Sequence, residues 1–102
     1  MRVNKLGQTK DRKFIFHADP GHGWLGVKKT WLTDLGIADK ITSYSYERGN
    51  MVYLEEDCDA TTFHEAYKLF VGRTDLKFSD YTVESFVNHN HPIKSYTQFH
   101  TK

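Results

Sequence analysis

The chain has 102 residues, which makes one domain and excludes a two-domain arrangement. Its 38% hydrophobic, 26% charged and 15% aromatic residues exclude disordered, collagenous and low-complexity classes. The net charge of +1 hides nine Lys/Arg against five Asp/Glu in residues 1–51, about +4, and five against eight in residues 52–102, about −3; a chain so divided is a poor general binder of polyanions.

Residues 1–12 read as a flexible basic leader carrying Arg2, Lys5, Lys10 and Arg12, and residues 13–102 as a single domain. Nucleic acid is expected as a partner only through that leader. Phe14–His17 and Trp24–Val27 are β-prone runs flanking a loop, a hairpin in which Asp19-Pro20-Gly21 predicts a type II turn with Gly21 at positive φ. Lys28–Leu35 places Trp31, Leu32 and Leu35 at helical spacing, with Gly36 as the stop. Tyr44–Glu47 and Met51–Glu55 flank Arg48-Gly49-Asn50 as a second hairpin, with Val52 and Leu54 facing the core and Met51 and Tyr53 the other side. A helix follows from an Asp59 N-cap, with Phe63, Ala66, Tyr67 and Phe70 on its buried face and Gly72 at its end. Leu76–Phe78 and Tyr81–Val87 read as one or two strands, Asn88–Pro92 as a break, and Ile93–Phe99 as a tail apolar enough to dock. The order β-β-α-β-β-α-β predicts an α+β domain: an antiparallel or mixed sheet of about five strands with two helices packed on one face.

Three blocks carry a resemblance. They are His17-Ala18-Asp19-Pro20-Gly21-His22-Gly23-Trp24-Leu25, then Leu35–Ile41 with Ser43-Tyr44-Ser45-Tyr46, then Val52-Tyr53-Leu54-Glu55-Glu56-Asp57-Cys58-Asp59-Ala60, with an echo at Pro92–Tyr96. Over residues 13–72 the chain resembles a family of small uncharacterised proteins of bacteriophages, plasmids and their bacterial hosts. The resemblance implies a setting, that of a phage or mobile-element accessory protein in the host cytoplasm, and no chemistry. The leader stands outside it.

His17, Asp19 and His22 share one loop, and two imidazoles with a carboxylate are competent ligands for a divalent metal. The competing reading has Asp19 bracing its own turn, with the histidines at strand ends. No further ligand follows from spacing: His64 sits on the second helix, and His89 and His91 in a late loop. Cys58, the single cysteine, excludes an internal disulfide and fits a reducing compartment. Beside Glu56, Asp57 and Asp59 its thiol is poorly activated and reads as a buried structural group. The run Glu55-Glu56-Asp57-Asp59 offers a contact surface or a charged helix start, without the spacing of an EF-hand. Gly21-His22-Gly23-Trp24-Leu25-Gly26 satisfies G-x-G-x-x-G in letters only, because it leads into a β-prone run.

Two functions follow. The first is a non-enzymatic module that binds a host protein, inhibition of host defence being one such role, through Asp19, His22, Trp24, Tyr44, Tyr46, Tyr53, Glu55 and Glu56. It needs no cofactor, and no apolar run approaches the ~20 residues of a membrane span. The alternative is a small metal-dependent hydrolase or nuclease built on His17, Asp19 and His22.

Overall fold

Side-chain alternation sorts the first hairpin onto two faces of a sheet. In the computed structural model, which describes residues 14–100, β1 (Phe14–Asp19) and β2 (His22–Lys28) pair antiparallel, with Phe16 opposite Leu25 and His17 opposite Trp24. The leader expected at residues 1–12 lies outside the described residues. The remaining elements are α1 (Lys29–Asp34), β3 (Tyr46–Arg48), β4 (Met51–Glu55), α2 (Asp59–Val71), β5 (Thr82–Phe86) and β6 (Thr97–Gln98). The six strands form one sheet in the order β5-β1-β2-β4-β3-β6. β5 runs parallel to β1 and every other pair is antiparallel, so the sheet is mixed and the fold α+β, with one short strand more than expected.

Phe14, Leu25, Val27, Val52 and Leu54 share the face that receives Leu32 from α1 and Phe63 and Tyr67 from α2. The Phe14 ring is the hub: Trp31, Phe63, Tyr67 and Tyr81 meet it edge-on with centroids 5.4–5.9 Å away, the favoured arrangement of aromatic quadrupoles. Along α2 the buried apolar positions are Ala60, Phe63 and Tyr67. Gly72 ends the helix at φ 75°, its N–H donating to the Lys68 and Leu69 carbonyls.

Four local expectations change. Phe70 is 49% exposed, meeting Trp31 edge-on at 5.5 Å and Tyr67 at 6.4 Å, because the apolar stripe of α2 is narrower than its aromatic content suggests. Asp59 does not cap α2: Cys58 holds the N-cap position without a side-chain bond, and the Asp59 carboxylate turns inward. Leu76–Phe78 forms no strand; Leu76 is buried, and Phe78–Asp80 make a 3-10 turn whose Asp80 carboxylate accepts the Lys77 N–H. Finally, Gly21 is not among the positive-φ glycines, so the β1–β2 turn is not type II. The Asp19 carboxylate accepts the Gly21 N–H at 3.0 Å and closes the turn as an Asx turn.

The glycines that matter lie inside β2. A Cβ on Gly23 would stand 2.5 Å from Phe16 Cζ and 2.8 Å from Glu56 Oε1, and one on Gly26 would stand 3.2 Å from His17 Nε2. Rings from β1 therefore lie over both glycines, on opposite faces of the sheet. Gly23→Ala is expected to cost about 1–3 kcal/mol by overpacking, whereas Gly21→Ala, with nothing within 4 Å of its Cβ, stays within about 0.5 kcal/mol. Urea unfolding of the two variants checks the contrast.

The chain then crosses the sheet. β5 and β6 occupy opposite edges, and residues 87–96 pass over the face away from the helices. Val87 N–H donates to the Ala18 carbonyl, and Ile93, buried to 1% exposure, lies outside the helix-side core. This strap makes a third layer, opposite the helices. The tail docks as expected, with Phe99 N–H donating to the Ser45 carbonyl at 2.8 Å.

Candidate functional site

The loop that reads as the richest in chemistry is a structural anchor. Asp19 is buried, and its carboxylate accepts from the Gly21 N–H, from His22 Nδ1 at 3.2 Å and from the His91 N–H at 2.8 Å. The His91 N–H, with the other donors of the turn, holds the Asp19 carboxyl down at about 2. His17 lies between Tyr53 and His91, at centroid distances of 5.6 and 5.3 Å, and burial together with His91 lowers its pKa. His22 stacks on Trp24 at 5.4 Å. Among the described residues no group of three or more His, Cys, Asp or Glu side chains is placed to hold a metal ion.

Asp19 therefore carries a pH signature. A carboxyl whose folded pKa lies below its ordinary value near 3.8 stabilises the fold fully above that value, and the contribution fades as pH falls toward about 2. The strap should loosen in that window. Urea unfolding between neutral pH and about pH 2 is expected to show a steeper acid loss for the wild type than for Asp19→Asn, which starts less stable and lacks the ionisation. Parallel profiles would contradict the assignment.

The expected contact residues scatter. Trp24, at 2% exposure, is closed to any partner and packs with His91 and Tyr46 under the strap. Tyr53 and Tyr46 are half-buried neighbours across β3 and β4, and Tyr53 meets Tyr96, over whose ring the Arg48 guanidinium sits at 5.1 Å. Burial, followed by Tyr96, raises the Tyr53 pKa. Tyr44 is 68% exposed, Glu55 half-buried and Glu56 exposed. Cys58 is an exposed free thiol, not a buried one.

An unexpected cleft opens on the other side of β1. Its volume is about 680 Å³, within the usual range of ligand pockets, and Phe16 and Phe78 line it together with His64 of α2, Glu56, Thr82 and Glu84. His64 and Tyr81 stack nearly parallel, with His64 Nδ1 and the Tyr81 hydroxyl 2.6 Å apart. Burial raises the Tyr81 pKa and lowers that of His64, where Lys68 adds to the lowering. Tyr81 thus remains a phenol hydrogen-bonded to His64 Nδ1, and the imidazole is biased toward its neutral form. Lys68 itself pairs with Glu65. Among the described residues the ionised side chains lining the cleft are then the carboxylates of Glu56 and Glu84.

No protein-family model matches the chain, and no curated protein or solved structure matches it either.

Beside the cleft runs the outer edge of β5. The Tyr81 carbonyl accepts the Phe14 N–H, and Val87 N–H donates to Ala18, so the odd-numbered residues of this stretch address β1. Alternation directs the backbone N–H and C=O of Glu84 and Phe86 outward, where no other strand pairs among the described residues. Phe86 is 57% exposed, and Val83 and Ile15, paired across β5 and β1, are each 47% exposed. Sequence reading missed this site because its members come from four separate segments; the one legible signal was Glu56 in the acidic run.

Proposed function

We propose that this protein is a small binding module that acts by contact with another protein, and that the contact surface is the β5 edge with its adjoining cleft. One observation carries the reading: a strand edge that no other strand pairs among the described residues, flanked by exposed Ile15, Val83 and Phe86, opens onto a cleft with an apolar floor and an acidic rim. The Asp19 carboxylate is engaged by its own turn and by the His91 N–H of the strap, which leaves that group little to offer a partner. The resemblance over residues 13–72 to phage and plasmid proteins sets the partner as a host protein, met in the host cytoplasm, with interference in host defence as one such role. Among the described residues no helix is long and apolar enough to cross a membrane.

Site-specific photo-crosslinking in host lysate tests this. A crosslinker at Val83 or Phe86 should capture one discrete species, and one at exposed Asp39, beside the groove lined by Phe99 and His100, should not. Equal labelling from all three positions would remove the β5 edge from consideration. A stoichiometric metal that is lost from His17→Ala and His22→Ala together with hydrolytic activity would put metal-dependent hydrolysis in place of contact.

A further inference from the structure

We infer that the element recognised at this surface is an extended segment of the partner that adds to β5 as a new edge strand, with basic and apolar side chains alternating along it. The inference rests on the assignment of the β5 edge as the contact surface and gives it a chemistry.

The backbone supplies the first half of the argument. Glu84 and Phe86 direct their N–H and C=O groups away from β1, and an added strand satisfies them as β1 satisfies the odd-numbered residues. The two faces of β5 supply the second half. Glu84 is in register with Phe16 and belongs to the helix side, where it lines the cleft with Glu56. Val83 is in register with Ile15 on the opposite side, and both are half exposed. Because strand side chains alternate between faces, an incoming strand presents one set to the carboxylates and the next to Val83 and Ile15. Among the described residues the ionised groups lining the cleft are the two carboxylates, and Lys68 on the neighbouring turn of α2 pairs with Glu65. A lysine or arginine stem lies along Phe16 and Phe78 while its head reaches Glu56 or Glu84, the usual behaviour of long cationic side chains.

The test is selection of random peptides of about ten residues, a strand length, against the immobilised full chain. Enriched sequences are expected to lack proline and to alternate Lys or Arg with Val, Ile or aromatic residues. The bound peptide should slow amide exchange at Glu84 and Phe86. Glu56→Gln combined with Glu84→Gln should weaken binding about tenfold or more. Phe86→Pro removes an outward donor and no bond to β1, so it should weaken binding similarly at unchanged melting temperature.

Failure to enrich, enrichment of acidic or proline-rich sequences, or exchange protection elsewhere would overturn the inference. If crosslinks from Val83 and Phe86 persist in lysate despite such a failure, the contact reading stands and the strand-addition form alone fails; if they vanish as well, both fail. Tighter peptide binding after Arg2, Lys5, Lys10 and Arg12 are changed to Gln would assign the edge to the chain's own leader. Self-association abolished by Phe86→Pro would assign it to a second copy.

Discussion

Replacing Asp59 by Ala is expected to destabilise the protein by about 3–5 kcal/mol, the sum of several stranded donors, each worth about 1–3 kcal/mol when buried without a partner. Asp59 is 1% exposed, and its Oδ2 accepts from the Thr42 N–H at 3.0 Å, the Thr42 hydroxyl at 2.8 Å and the Ser45 hydroxyl. Ser45 is itself buried; its hydroxyl oxygen accepts the Glu55 N–H at 2.9 Å, and its carbonyl accepts the Phe99 N–H. One carboxylate thus ties together the connection before β3, the end of β4, the start of α2 and the chain end after β6. Asp59→Asn keeps an acceptor of the same shape, loses the charge assistance, and should cost less, about 1–3 kcal/mol. Stability of a domain this size is about 5–15 kcal/mol, so the Ala variant should be partly unfolded at physiological temperature. Urea unfolding at neutral pH decides: a loss below about 1 kcal/mol for Asp59→Ala would mean that the network is dispensable.

Trp24→Ala is expected to cost a comparable amount, about 3–5 kcal/mol, and to act on a different part of the molecule. The indole is 2% exposed on the face away from the helices, against His22, Tyr46 and His91. Its removal opens a cavity under the strap and leaves the helix-side core, which does not contain it, intact. Hydrogen exchange separates this from general destabilisation. The amide of His91, bonded to Asp19, should lose protection well before the amides of Val52 and Leu54, in the middle of the sheet. Uniform loss across both sets would show that strap and core open together.

Features that rest on short-range pattern were legible in the residues alone. Val52 and Leu54 reach the core while Met51 and Tyr53 turn to the other side, as the period of two in β4 requires. Phe63 and Tyr67 are buried and Gly72 stops α2 in the left-handed conformation, as the helical period and the need for a residue without Cβ require. These elements compose the α+β class with two helices on one face, which needs no knowledge of strand order.

Tertiary structure decided everything that depends on residues distant in sequence. Asp19 looked like a ligand or a turn residue; the His91 N–H that fixes its role lies 72 residues away. Asp59 at a helix start looked like a cap until Thr42 and Ser45, 17 and 14 residues back, claimed its carboxylate. Trp24 read as a contact residue for a partner because alternation assigns a side chain to a face without saying what covers that face, and the strap that covers it is chosen by the opposite-edge placement of β5 and β6. The cleft depends on the same long-range step: parallel pairing of β5 with β1 sets Glu84 beside Phe16, and α2 sets His64 against Tyr81 across 17 residues. Local propensity acts over a few residues at well under 1 kcal/mol each, whereas burying a tryptophan or satisfying a carboxylate is worth several, so the long-range partners settle what such residues do.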